Sequence, residues 1–544
     1  MIIWANKYEF CKDKIMKVMF LYPNHEGYFR CPVGLTLIMT VVENAGHEVK
    51  LFDTTFMNTD ENKDNATREQ AGLVKPVTLD NYFDKKSTSE IENEWISAVN
   101  AFKPDLIATT IVEDAYTYAH RLLGLARQVS DAKVVVGGSM PTVVPRVMIE
   151  NPNIDFLVEG EGEVAFVELI DALLKDGDVS KVPNLWYQDK GVTKNTGLVK
   201  YLDMDEIPFQ KLDFWDDKHF TKPYDGKLRN TGFFEGSRGC MHRCHYCINR
   251  AFQVFQEEAG KVRRNKSPRR IIDEVKFINK TRNFDLVMFT DDNFLGRQPK
   301  ELNEFFELWE KEVNIPYWIN TCIETVNEQN LPLLKKSGCV GIAIGLETGS
   351  DWVRRNLLLK GKMDNNFYME KFGLMAKYKI RSTANNMLGI PGEYEEDFFE
   401  TIKLNKQIRA LDPELTSFDV SYMAPYMGTV IHNIALDMNL IEPHTEPGFK
   451  GMSKAKITMR HEPTMKNPCM SKEKTMELHD DFMKYVTGEK EIPEKFLQDD
   501  PDRRFANSQE IYDLYEKYKR GPIPIDPVMV VPSDTVFIQP VPHK

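Results

Sequence analysis

Gly236-Ser237-Arg238-Gly239-Cys240-Met241-His242-Arg243-Cys244-His245-Tyr246-Cys247 is the stretch on which the reading of this chain turns. Three cysteines stand at C-x3-C-x2-C spacing, directly after an apolar, strand-like run that includes Phe233 and Phe234. Cysteine thiolates are the usual protein ligands of iron–sulfur clusters, and a full cluster normally takes four. A compact loop with three leaves one iron of a cubane open to a small chelating molecule. Two plainer readings compete. A structural zinc needs four closed ligands, and His242 or His245 could supply the fourth, but zinc cysteines usually come in well-separated pairs. A disulfide fails on parity and on compartment.

With Tyr246 just before the third cysteine, the loop resembles that of the radical S-adenosylmethionine (SAM) enzymes. The resemblance implies a 4Fe-4S cluster on Cys240, Cys244 and Cys247, with the amino and carboxylate groups of SAM on the open iron. One electron from the cluster would then cleave SAM to a 5′-deoxyadenosyl radical. An electron donor such as flavodoxin or ferredoxin is implied with it.

The rest of the chain suits that setting. Its 544 residues are 42% hydrophobic and 28% charged, enough for two to four domains with large cores. The net charge of -12 argues against a nucleic-acid groove, and the basic run Lys261-Val262-Arg263-Arg264-Asn265-Lys266 reads as a solvated face. Cys11, Cys31, Cys322, Cys339 and Cys469 are scattered outside the loop. Free thiols beside an oxygen-labile motif imply a reducing cytoplasm. No stretch approaches the ~20 apolar residues that span a bilayer.

Residues 17–176 alternate short apolar strands with amphipathic helices. Strands are expected at 17–23, 49–52, 106–111, 133–136 and 156–158, with helices at 34–44, about 115–129 and 164–175. Such alternation means a parallel sheet covered on both faces, whose ligands sit beyond the carboxyl ends of the strands. Those ends carry Thr109-Thr110-Ile111-Val112-Glu113, Gly137-Gly138-Ser139-Met140-Pro141-Thr142 and Glu159-Gly160-Glu161-Gly162-Glu163. No G-x-G-x-x-G dinucleotide fingerprint follows any strand. Residues 57–95 interrupt the domain, and within them the polar run Asn58-Thr59-Asp60-Glu61-Asn62-Lys63-Asp64-Asn65 reads as a loop that could serve as a lid.

Together with Pro32-Val33-Gly34-Leu35 and Gly46-His47-Glu48-Val49, these segments resemble the cobalamin-binding domain of cobalamin-dependent radical SAM enzymes, over about 17–187. The resemblance implies cobalamin contacts at Pro32, Gly34, Leu35, Thr110, Gly137, Gly138, Ser139, Met140, Glu161, Gly162 and Glu163. Met140 stands where the family often has His. No D-x-H-x-x-G is present, which leaves His25 and His47 as candidate cobalt ligands against their plainer readings as a loop and a helix-cap residue.

After a linker, strands are expected at 232–236, 286–290, 316–321, 340–346, 381–388 and 416–424, six units near the size of one βαβ unit. Active groups of βα barrels lie at the strand carboxyl ends. By resemblance, SAM would meet Arg238, Tyr246, Asp291, Asp292, Glu347, Asn385, Gly389 and Pro391, with Arg238-Gly239 supporting the loop and Gly389-Ile390-Pro391-Gly392-Glu393 walling the adenine. The plain alternative for each acidic residue is a helix N-cap. Cys322 and Cys339 read as core residues. The region after 430 reads as a cap that shapes the substrate pocket, with helices at about 471–486 and 508–519, its methionines as adaptable packing, and a proline-rich tail.

The expectation is therefore an α/β chain: a Rossmann-like doubly wound parallel sheet (1–200), a linker (201–230), a partial (β/α)6 barrel (231–430) and a mainly helical C-terminal region (431–544). The resemblance implies methylation of an unactivated carbon or phosphinate of a small molecule or peptide, the class B reaction. Alternatives are cyclisation, ring contraction or oxidation without methyl transfer, and a non-enzymatic iron–sulfur or cobalamin sensor. Methylthiolation of tRNA needs three further N-terminal cysteines, and only Cys11 and Cys31 are there.

Overall fold

The computed structural model describes residues 14–24, 31–57, 75, 77, 82–175, 177–446, 462–498, 509–520 and 536–537. His25, the polar run 58–65, His461 and the tail from Pro522 to Pro527 lie outside the described residues.

The first sheet is built from β1 (Lys17–Tyr22), β2 (Glu48–Asp53), β3 (Leu106–Thr110), β4 (Lys133–Gly137) and β5 (Phe156–Val158), all parallel, in the order β2-β1-β3-β4-β5. Buried runs such as Val18, Phe20, Val134 and Val136 make these central strands. Helices α1 (Val33–Asn44), α2 (Thr88–Phe102), α3 (Tyr116–Arg127) and α4 (Ala165–Leu174) cover the faces. Helix α2 occupies the end of the 57–95 interruption: Ser87 and Glu90 form a capping box, and Ile91, Trp95, Val99 and Phe102 are buried. Its apolar positions recur at helical spacing, but the preceding polar run masked them.

Two strands were not expected. β6 (Leu185–Asp189) and β7 (Val192–Asn195) form an antiparallel hairpin on the β5 edge. Asn195 and Trp186 are buried there, both bonded to Glu159.

The second sheet has seven strands. Six are parallel: β9 (Lys227–Phe234), β10 (Leu286–Phe289), β11 (Tyr317–Thr321), β12 (Cys339–Glu347), β13 (Arg381–Leu388) and β14 (Thr416–Tyr422). β8 (Thr221–Tyr224) pairs antiparallel with β9. The sheet curls into a half barrel. The first barrel strand thus begins earlier than 232, and β8 lies within the stretch read as a linker. The remaining linker stitches the halves together. Trp215 Nε1 donates to Thr36 Oγ1 (2.9 Å), the Lys211 amide to Thr40 Oγ1 (2.9 Å) and Gln210 Nε2 to the Phe233 carbonyl (2.8 Å).

One buried apolar cluster runs from Val18 and Phe20 through Leu212, Trp215 and Phe220 to Phe234, Phe284 and Phe289, so both sheets share an interior. C-terminal helices α5 (Lys472–Thr487) and α6 (Gln509–Arg520) pack outside the barrel. Among the described residues, no helix is long and apolar enough to cross a membrane.

Candidate active site

Both sheets direct their carboxyl ends at one region, which holds two adjoining cavities. The larger, about 500 Å³, lies between the first sheet and the cluster loop. The smaller, about 290 Å³, lies at the barrel mouth. Asn249 and Asp292 line both, so these two side chains form a common wall.

Glycines make the larger cavity. A Cβ on Gly138 (φ 107°) would stand 2.6 Å from Thr110 Oγ1 and 2.9 Å from the Ile111 backbone. A Cβ on Gly160 would stand 2.7 Å from the Tyr201 hydroxyl, and one on Gly162 3.1 Å from Ile38. Only residues without a side chain let the strand-end backbones line the space this closely. Gly34, Leu35, Thr110, Gly137, Gly138, Ser139, Glu161, Gly162 and Glu163 all line this cavity. Pro32 and Met140 do not. Pro32 caps α1, and Met140 is buried in the core beside Val143 and Met148. His47 is buried at the end of α1, where its Nδ1 accepts from the Met16 amide (3.4 Å).

Arg238 closes the floor between the two domains. Its guanidinium reaches Glu161 (3.0 Å), Glu163 (2.7 Å) and Glu235 (2.8 Å), and Arg264 also pairs with Glu161. These carboxylates put Arg238 well above its ordinary pKa despite its burial. It lines the larger cavity and not the smaller.

The loop from Gly236 to Cys247 is held on every side. The Asp291 carboxylate accepts from the Gly236 amide (2.8 Å) and Ser237 Oγ (2.5 Å), with Arg297 3.6 Å away. Gly239 has φ 87°, and a Cβ there would stand 1.8 Å from the Val262 carbonyl. Gln253 Nε2 donates to the carbonyls of Cys240 (2.7 Å) and His242 (2.6 Å). His245 is buried and turned away from both cavities. Its Nδ1 meets the Leu357 carbonyl (2.8 Å), its ring stacks on Tyr515, and burial pushes its pKa down to about 4. His245 lines neither cavity, so it offers no ligand beside the three thiols.

Cys240, Cys244 and Cys247 line the smaller cavity together, with Tyr246, Asp292, Glu347 and Asn385. Glu347 ends β12 at φ 68°, after a register shift against β13 at Gly345. This bulge aims the carboxylate into the cavity. There Oε1 accepts from Tyr246 OH (3.0 Å) and Lys360 Nζ (3.0 Å). A Cβ on Gly345 would stand 2.2 Å from that oxygen, so a side chain there would push the Glu347 carboxylate out of this position.

Residues 234–404 match the Radical SAM superfamily and residues 79–170 the B12 binding domain. The chain thus carries a B12-binding domain followed by a radical SAM domain. An uncharacterized methyltransferase of Pyrococcus horikoshii is 25% identical over 79% of this chain and 85% of its own length. The anaerobic magnesium-protoporphyrin IX monomethyl ester cyclase of a Synechocystis strain is 23% identical over 78% of this chain and 79% of its own. In fold, the radical SAM methyltransferase TsrM from Kitasatospora setae, with cobalamin and a [4Fe-4S] cluster bound, superposes at a TM-score of 0.54 and 18% identity, over 78% of this chain and 75% of that one.

A radical SAM chain with a B12 domain uses a 4Fe-4S cluster, SAM and cobalamin, and needs a reductant and a substrate. The donor sets fit. Three thiols share one cavity for a cluster, and the glycine-lined cavity is a cradle that side chains at Gly138, Gly160 and Gly162 would fill. The radical SAM barrel divides the acidic pair read from the sequence. Asp292 faces both cavities, whereas Asp291 is buried and bonded to the loop. Gly389 and Pro391 are not among the residues lining either cavity. Their loop folds onto Glu393, which accepts from the Gly389 amide (2.8 Å), and onto Tyr515, which donates to the Pro391 carbonyl (2.9 Å). Among the described residues, none after 430 lines either cavity, so there the C-terminal region packs the barrel's exterior.

Three residues were missed. Lys360 and Asn249 line the smaller cavity, and Cys322 does so instead of lying in the core. Cys339 is buried, its thiol bonded to the Gly341 carbonyl (3.5 Å). Lys360 follows Leu357-Leu358-Leu359 but stands between Arg354-Arg355 and Lys362, so the sequence alone does not single it out.

Proposed function

We propose that this chain is a class B radical SAM methyltransferase acting on an unactivated carbon or phosphinate of a small molecule or peptide. The observation that carries this reading is the common wall of Asn249 and Asp292 between the two cavities. A substrate held there would lie between a hydrogen-abstracting site and a methyl-delivering one. When bound, the cluster and SAM supply the 5′-deoxyadenosyl radical, and cobalamin supplies the methyl group.

In this reading Cys240, Cys244 and Cys247 provide the cluster's thiolates. Lys360, with three donor hydrogens and two bonds in place to Glu347 and Tyr246, has one left to direct at the SAM carboxylate. Glu347, aimed by the bulge, accepts from the SAM amine or ribose, and Asn385 offers an amide from the next strand. Asp292 holds the side of SAM nearest the larger cavity. Gly137, Gly138 and Gly162 let the corrin approach the backbone. Residues 1–200 would hold cobalamin, 231–430 the cluster and SAM, and 431–544 the outer packing. A flavodoxin- or ferredoxin-like donor in a reducing cytoplasm would supply electrons.

The test is anaerobic. The reconstituted protein is given cobalamin, reductant and SAM labelled in its methyl group, and 5′-deoxyadenosine and labelled methylcobalamin are followed together. Both should appear. Deoxyadenosine without methylcobalamin would support the second reading, cyclisation or oxidation without methyl transfer, which the similarity to a cyclase favours.

A further inference from the structure

Four thiols face the smaller cavity, because Cys322 lines it together with Cys240, Cys244 and Cys247. The Cys322 sulfur, the Cys240 sulfur and a His242 ring nitrogen all lie within 4.8 Å of one another. Cys322 follows directly on β11, and its backbone is fixed at both ends. Its amide donates to Asn293 Oδ1 (3.2 Å), and its carbonyl accepts from Thr325 Oγ1 (2.7 Å). This thiol is therefore held beside the cluster loop by the barrel scaffold.

A 4Fe-4S cluster is complete with four thiolates. Three come from the loop, and the fourth position must be free only when SAM occupies it. We propose that Cys322 ligates the open iron while SAM is absent and is displaced when SAM binds. This rests on the assignment of Cys240, Cys244 and Cys247 as cluster ligands. On ligation the Cys322 S–H bond breaks, an S–Fe bond forms and one proton leaves to solvent. On SAM binding the S–Fe bond breaks, the α-ammonium of SAM gives up one proton and the Cys322 thiolate takes one up, and the freed amino nitrogen and the carboxylate oxygen of SAM take the iron. No atom changes oxidation state in either direction. The closed form shields the fourth iron from water and dioxygen, at the cost of weaker SAM binding.

Mössbauer spectra of 57Fe-reconstituted wild type, C322A and C322S, with and without SAM, test this. Iron and sulfide counts should show a full cluster of four irons in all three proteins, which also shows that the variants fold. Without SAM, the wild type should give sulfur-ligated irons only, whereas C322A and C322S should each show one iron, a quarter of the absorption, with oxygen or nitrogen coordination. With SAM the three spectra should coincide. Equilibrium dialysis should find SAM bound several-fold more tightly by C322A. Identical SAM-free spectra of wild type and C322A would overturn the proposal while leaving the three-cysteine assignment intact. That assignment fails instead if alanine at Cys240, Cys244 or Cys247 leaves the iron count unchanged.

Discussion

Single atoms decide much of this site. Lys360 Nζ is placed 3.0 Å from both Glu347 Oε1 and Tyr246 OH, and a charge-assisted hydrogen bond contributes about 1.5–3 kcal/mol. Lys360→Met should therefore weaken SAM binding roughly 10- to 100-fold with the iron count unchanged, as read by equilibrium dialysis beside an iron assay. Gly138 is the matching residue of the larger cavity. Gly138→Ala puts a methyl 2.6 Å from Thr110 Oγ1 at a φ of 107°, a strain of roughly 1–3 kcal/mol. A lower melting temperature together with lost cobalamin uptake is expected, whereas Gly373→Ala, on the helix Asn365–Lys377 where a Cβ meets nothing within 4 Å, should lower neither.

At the level of elements, the charge cluster joining the cluster loop to the first sheet is open to the same kind of test. Arg238→Met leaves Glu161, Glu163 and Glu235 facing one another in a largely buried setting, and breaking such a cluster costs about 3 kcal/mol. The urea midpoint should fall, and cobalamin binding should weaken before cluster binding does, because Arg238 lines the larger cavity. The elements themselves were largely legible in the sequence. Short apolar runs separated by helices, polar strand ends and a C-x3-C-x2-C loop foretold the parallel strands of both sheets and the three thiols that meet in one cavity. The rest was set by tertiary contacts. The β6–β7 hairpin owes its place to Glu159 receiving Trp186 and Asn195, a partnership between distant residues. Gly389-Ile390-Pro391 has the composition of a ligand loop but is turned toward Tyr515 by a helix more than a hundred residues later. Asp291 and Asp292 are neighbours in sequence and cannot be told apart until the backbone directs one to the loop and the other to the cavities.

For the whole molecule, stability should carry a signature in pH. Burial holds the Glu393 carboxyl up to about 8, against its ordinary 4.5. The fold favours the neutral form, and the unfolded chain ionises first. Its contribution is full below pH of about 4.5 and is lost as pH rises through about 8. Across that window the wild-type melting temperature should decline relative to Glu393→Gln, which keeps an acceptor for the Gly389 amide but cannot ionise; parallel curves would refute this. The continuous apolar interior that joins Phe20 to Phe289 by way of Trp215 has a further outcome. Neither half owns a finished hydrophobic surface, so separately expressed fragments should aggregate and the intact chain should melt in a single transition. The gap between the two cofactor sites is then fixed by packed side chains rather than by a hinge. It behaves as a ruler with a tight tolerance: a cavity-making substitution at Trp215, which lines neither pocket, should alter the cobalt-to-cluster spacing measured by paramagnetic resonance and, with it, the size of acceptor the enzyme admits.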